Sequence, residues 1–292
     1  MKSKLKKSIF ISICVLNLNF ATKGQVLNLI PDPSFEDTLS TVQIYAQLSL
    51  KHWKNLDTTK VEIAPAAYLN YNSYNIPYAL PNTFWCFQDA RGGGGCLIFE
   101  FHWNYFPNMQ RSIVRTKLNS TLLAGKSYCA KMYVNPCDKY GDFFTDGIQM
   151  YFDNGQLDTI VAQDSSGYYP FVQPQVSNSF GNVITDTAGW TLVSGVFTAT
   201  GNESFLTISN FWTDSATTNI LNTAVYDSLN PNPVSLLLID DVSVIPIDAS
   251  NWLSDVWCVL GDSAYIGLPK YDAPDAEWYN LNMQYIGKGG GI

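Results

Sequence analysis

Apolar and polar residues alternate over short stretches of this chain, and almost nowhere do they recur with the three-to-four-residue spacing of a helix. Residues 96–101 (CLIFEF), 127–134 (SYCAKMYV), 147–152 (GIQMYF), 190–198 (WTLVSGVFT), 205–211 (FLTISNF) and 235–245 (SLLLIDDVSVI) read as strands. Asp153-Asn154-Gly155 is a turn signal after the third of these, and Gly195 is a candidate bulge inside the fourth. In the last, alternation puts Asp240 on one face with Leu236, Leu238, Val242 and Val244, and sets Asp241 on the other with Ile239 and Ser243. A brief helix fits residues 37–48. Polar stretches at 54–84, 163–188 and 212–233 interrupt the strands as long loops. The pattern predicts an all-β fold, a jelly-roll β-sandwich with long loops.

The two ends of the chain depart from that pattern. Lys2, Lys4, Lys6 and Lys7 precede a short apolar run from Ser8 to Ala21, which has the form of a secretory signal over residues 1–24 and is too short to span a bilayer comfortably. The main module is then 25–247. Residues 248–257 are linker-like. Residues 258–292 resemble the first strands of an immunoglobulin-like domain, with Trp278 in the strand that packs on the core. Some 35 residues cannot complete such a sandwich, so this segment is expected to be incomplete and the chain to continue beyond Ile292.

Charge narrows the partners. Without residues 1–24 the chain has 12 Lys and Arg against 25 Asp and Glu, a net −13. That balance disfavours nucleic acid and anionic membrane surfaces, and membrane insertion is not expected once the signal is removed. Export permits disulfides among Cys86, Cys96, Cys129 and Cys137, with three connectivities open. A Cys86–Cys96 staple across Gly92 to Gly95 is one of them. No C-x-x-C spacing points to a metal thiolate site.

Several short segments together carry a family resemblance. They are NLIPDPSFE at 28–36, Trp53, Ala90-Arg91-Gly92, LLAGKSYC at 122–129, Asp146-Gly147, the pattern of Trp190, Ser194, Gly195, Phe197 and Gly201, and the closing Asp240-Asp241-Val242. In order and spacing the chain resembles the carbohydrate-binding-like (galactose-binding-like) jelly rolls of secreted and surface proteins of gliding Gram-negative bacteria. Gly92 to Gly95 followed by Cys96 departs from that family's usual strand entry. The resemblance implies that the first and last strands pair. It also implies a structural calcium ion there, with Glu36, Asp240 and Asp241 as its carboxylate ligands. Calcium takes six to eight oxygens, and an acid on an apolar face needs a partner. The alternative is that Asp240 only accepts backbone amides or meets an Arg or Lys.

The resemblance further implies a secreted or cell-surface binding module for a glycan or other surface ligand. Sugar rings stack on aromatic side chains, and Tyr71, Tyr74, Trp85, Trp103 and Tyr105 are the main candidates, with Trp53, Tyr68, Tyr78, Tyr168, Tyr169 and Trp212 beside them. Tyr71 and Tyr74 belong to a stretch that interleaves aromatics with Asn amides. No catalytic residues are assigned. His52 and His102 are the two histidines and neither neighbours a nucleophile motif. Paired carboxylates for glycoside hydrolysis stay open, with Asp146, Asp153, Glu100 and Glu203 available. A structural cell-surface spacer and an accessory part of an exported hydrolase are the other readings.

Overall fold

The computed structural model describes residues 28–38, 50–56, 79–102, 111–158 and 171–247, and as strand backbone 67–70, 258–260, 263–265, 277–279 and 285–288. The segment 1–24, the expected helix over most of 37–48 and the linker at 248–257 lie outside these residues. In chain order the strands are β1 (Trp53–Asn55), β2 (Ala67–Asn70), β3 (Gly95–His102), β4 (Val114–Lys117), β5 (Ser127–Pro136), β6 (Phe143–Thr145), β7 (Gln149–Asp153), β8 (Val176–Ser177), β9 (Thr191–Thr198), β10 (Phe205–Ser209), β11 (Asn219–Leu221), β12 (Val234–Pro246), β13 (Cys258–Leu260), β14 (Ser263–Tyr265), β15 (Glu277–Tyr279) and β16 (Tyr285–Lys288). Among the described residues there is no α-helix, and none is long and apolar enough to cross a membrane.

Two five-stranded antiparallel sheets form the body. One runs β1-β4-β10-β7-β8 and the other β2-β3-β12-β5-β9. The core lies between them, because each long strand turns one face inward. Leu97, Phe99 and Phe101 of β3, Ala130, Met132 and Val134 of β5, and Leu237 and Ile239 of β12 meet Val114 of β4, Met150 and Phe152 of β7, and Leu206 and Ile208 of β10. The chain is an all-β sandwich. β6 and β11 form a separate ribbon, and the tail strands form two hairpins, β13-β14 and β15-β16.

Strand β12 holds the main correction to the alternation pattern. Its three steps from Asp240 to Ser243 span only two steps of β5, from Tyr133 to Lys131. This bulge inserts one residue and shifts every later side chain to the opposite face. Val242 and Val244 therefore join Leu237 and Ile239 in the core, while Leu236 and Leu238 belong to an outer cluster. They do not share a face as expected. Asp241 takes φ 49 at the bulge, a left-handed conformation uncommon outside glycine. Gly195, by contrast, is no bulge, since β9 pairs with β5 without a shift. A Cβ there would sit 3.1 Å from Val176 Cγ1, so glycine makes room for the facing sheet.

The opening segment lies along β12 as a series of turns, not as a regular strand. Leu29 N–H donates to Val244 O at 2.9 Å and Val242 N–H to Pro33 O at 2.8 Å. Asn28 completes the seam. Its Oδ1 accepts from Val244 N–H and Ile30 N–H, and its Nδ2 donates to Val242 O. Phe35, fully buried, packs 4.9 Å from the Trp53 ring, whose Nε1 donates to Asp32 O. Trp53 is thus a core residue and not a ligand platform. Asn28→Ala removes all three side-chain bonds of the seam and should cost about 1–3 kcal/mol of unfolding free energy, read by urea denaturation.

Candidate functional site

The outer faces of the two sheets differ. On the β1-β4-β10-β7-β8 sheet the outward row is buried. Arg115 pairs with Asp153, donates from Nε to Thr207 Oγ1 at 3.1 Å and stacks 4.6 Å from the Phe205 ring. Leu157, Val172 and Phe211 pack with Ile113 beside this row, with Leu56 and Tyr151 against them.

On the other sheet, residues 79–91 fold over the outward row formed by Cys96 and Ile98 of β3 and Leu236 and Leu238 of β12. Thr83 organises this loop. Its Oγ1 accepts from Cys86 N–H at 2.8 Å and Trp85 N–H at 3.2 Å, and its N–H donates to Cys86 O at 2.9 Å. Cys86 is disulfide-bonded to Cys137 at the end of β5, with Cα atoms 4.7 Å apart. The Cys86–Cys96 staple, one of the three open connectivities, does not form. Cys129 is disulfide-bonded too, and Cys96 is the free thiol among the described residues, fully buried. Burial pushes its thiol well above the ordinary value, with Asp240 and Glu36 adding to the rise, so Cys96 is protonated and inert.

The turn after β5 holds the loop from the other side. Phe87 N–H donates to Asp138 Oδ1 at 2.8 Å, and Lys139 N–H to Trp85 O at 3.0 Å. Lys139 Nζ donates to Asn82 Oδ1 and to the Thr83 and Cys86 carbonyls. The result is a pinned loop whose tip turns two rings outward. Phe84 is 58% exposed and Phe87 59%. Phe84 lies 6.1 Å from the Trp85 ring and 5.6 Å from Tyr140. Trp85, half-buried, packs on the outer cluster with Trp190. Of the five aromatics singled out by sequence, Trp85 is the one described here. Tyr71, Tyr74, Trp103 and Tyr105 lie outside the described residues. Phe84 and Phe87 were missed, although they sit beside Trp85 in an apolar run, TFWCF, too short and too irregular to be a buried strand. A further exposed ring, Phe180, stands edge to face with Trp212 at 6.4 Å.

Three of the four candidate hydrolytic carboxylates, Asp146, Asp153 and Glu203, are occupied by the fold. Asp146 is fully buried and accepts from Gly181 N–H and Thr218 N–H at 2.7 Å each. Asp153 holds Arg115 and Leu157 N–H. Glu203 accepts four donors from Thr200, Gly201 and Asn202. Burial alone would raise its pKa, and these donors, Thr200 first, hold it below the ordinary value.

The proposed calcium carboxylates face N–H donors. Glu36 Oε1 accepts from Gly94 and Gly95 N–H at 2.9 and 3.0 Å. Asp240 Oδ2 accepts from Arg91 and Gly92 N–H at 2.7 and 3.0 Å, and its Oδ1 from Asp241 N–H at 2.7 Å. Asp241 accepts from Ser34 Oγ–H at 2.6 Å and pairs with the Arg91 guanidinium. Among the described residues no three His, Cys, Asp or Glu side chains converge as a metal-holding group. N–H groups aimed at a carboxylate present positive charge where a cation would sit, so these residues do not fit calcium as arranged.

No family model and no curated protein matches the chain. Among solved structures it is similar to a Stig cyclase, Fisc, from Fischerella sp. TAU, at 11% identity and TM-score 0.43, covering 76% of this chain and 98% of that one. It is also similar to the CBM22-1 xylan-binding domain of Paenibacillus barcinonensis Xyn10C, at 11% identity and TM-score 0.36, covering 74% and 93%. A third is the K1 cleaved adhesin domain of Lys-gingipain from Porphyromonas gingivalis W83, at 12% identity and TM-score 0.37, covering 76% and 98%.

Two predictions follow from this geometry. Cys137→Ser opens a link across 51 residues and should lower stability by about 2–4 kcal/mol, measured by denaturation under non-reducing conditions. The second concerns Asp240. Burial pushes its carboxyl up to about 7, aided by the Asp241 charge and opposed by N–H donors of Gly92, Asp241 and Arg91. Folding therefore favours the protonated form, and this contribution is whole below about pH 4 and lost as pH rises through about 7. The stability gap between wild type and Asp240→Asn should shrink from pH 4 to pH 8. A gap that is flat or widens contradicts the assignment.

Proposed function

We propose that this protein is a non-catalytic, secreted or cell-surface binding module that takes a glycan on the loop bearing Phe84 and Phe87. The observation that carries the reading is the pairing of two widely exposed phenylalanines with a backbone that cannot easily move. Large apolar side chains held in water cost solvation and suggest a surface kept for a partner. The disulfide, the Thr83 turn and the Asp138 and Lys139 anchors fix both rings before a ligand arrives, which reduces the ordering cost of binding. Flat rings suit the apolar face of a pyranose. Asn82, Gln88, Asp89 and Asp138 around them supply amides and carboxylates that can bond sugar hydroxyls. Three of the four carboxylates offered for hydrolysis, Asp146, Asp153 and Glu203, are engaged by backbone amides or by Arg115, which supports binding over turnover.

A glycan array on the protein tests this. Phe84→Ala and Phe87→Ala should each weaken the best ligand by about tenfold, the equivalent of 1.4 kcal/mol, with melting temperature shifted by no more than about 2 °C. The same change at Tyr71, Tyr74, Trp103 and Tyr105 measures whether these rings extend the surface. Retention of no glycan, with the protein folded, would instead support a surface spacer. Turnover of a polysaccharide lost on changing one Asp or Glu would make it a hydrolase.

A further inference from the structure

The glycine loop 92–95, where the sequence departs from the jelly rolls it resembles, meets the acids of the opening segment and of the β12 bulge. We infer that Arg91 is the cation of this junction, and that the junction closes without a metal ion.

Three features converge on this assignment. First, the guanidinium of Arg91 lies between two partners: it pairs with the Asp241 carboxylate, and its Cζ lies 3.4 Å from the centroid of the Tyr133 ring. A planar cation between a carboxylate and an aromatic face is held in orientation as well as by charge. Second, the backbone that follows Arg91 runs its N–H groups along the acids, Arg91 and Gly92 to Asp240, Gly94 and Gly95 to Glu36. Five of the six donors to Asp240, Glu36 and Asp241 other than the guanidinium are main-chain groups. Third, the loop lies closer to the acids than a side chain would allow. A Cβ on Gly92 would fall 2.3 Å from Asp241 Oδ1, and one on Gly93 2.2 Å from Glu36 Oε1, with Gly93 also at φ +64. The loop lies directly on the acids because it has no side chains.

A calcium ion needs carboxylate and carbonyl oxygens aimed at one point. Here the acids are aimed at amides and at a guanidinium, so a divalent cation would compete with these donors for the same carboxylates. Arg91 is thus a positioning residue: it fixes the glycine loop, and the loop joins the first turns of the module to the last strand.

Thermal melts of the protein in excess chelator and in millimolar calcium, with Arg91→Ala and Arg91→Lys beside wild type, test the inference. Wild type should melt within about 1 °C in the two conditions. Arg91→Ala should melt at least about 3 °C lower, and calcium should restore part of that loss, because its acids lack their cation. Arg91→Lys should recover part of the loss without calcium, since lysine restores charge but not the stacked, forked geometry. If Arg91→Ala does not fold, the wild-type comparison and Arg91→Lys decide. A wild type that loses several degrees in chelator, or an Arg91→Lys that melts as low as Arg91→Ala with no response to calcium, overturns the inference.

Discussion

One extra residue in β12 sets the arrangement of the whole junction. Without the bulge at Asp240 and Asp241, Val242 and Val244 would turn out of the core. With it, both valines pack inside and the opening segment finds Val242 N–H and Val244 O in register for its own backbone groups. The bulge also turns two adjacent acids outward together, which regular alternation forbids. Asp241 at φ 49 and Phe35 at φ 61 are the two non-glycine residues in the left-handed region among those described, and they lie on the two sides of the same seam. Such conformations cost about 1–3 kcal/mol each and persist where surrounding contacts over-determine them. The contacts here are the Asn28 bonds, the buried Phe35–Trp53 pair and the glycine amides on Asp240 and Glu36.

The same loop serves two ends. Residues 79–91 begin beside Leu80, pass the exposed phenylalanines and the Cys86–Cys137 link, and finish at Arg91 on Asp241. The proposed binding surface is therefore fastened at one end to β5 and at the other to the bulge of β12, the strand that β5 pairs with. The opposite sheet has spent its outer face differently, on the buried Arg115–Asp153 pair and the apolar cluster beside it. That division accounts for Phe84 and Phe87 lying on one sheet's covering loop and not on a bare strand face; Phe171 and Phe180 are exposed elsewhere.

Much of the architecture was legible in the sequence, and the failures have physical causes. The six long strands were found because each has enough residues to show alternation. β1, β4, β6, β8 and β11 have two to four residues and show none. The bulge was hidden because residues 236–239 are apolar on both faces, Leu236 and Leu238 under the loop and Leu237 and Ile239 in the core, so the run has no readable phase. Asp240 was found as a buried acid in need of a partner, but its partners are the Arg91 and Gly92 amides, 149 and 148 residues away, and spacing cannot foresee them. The Cys86–Cys137 link spans 51 residues and was left open among three connectivities for the same reason. At the candidate site Trp85 drew attention as a tryptophan, yet the ring-bearing neighbours Phe84 and Phe87 are the ones turned to solvent, since Trp85 and Cys86 point into the outer cluster.

Amide hydrogen exchange resolved at single residues tests the central claim most directly: that the first turns, the glycine loop and the last strand are one cooperative unit. The N–H groups of Arg91, Gly92, Gly94 and Gly95 should be protected and should open together with those of Leu29 and Val242. Exchange of the glycine-loop amides at the rate of an unstructured peptide, while Leu29 and Val242 stay protected, would contradict it.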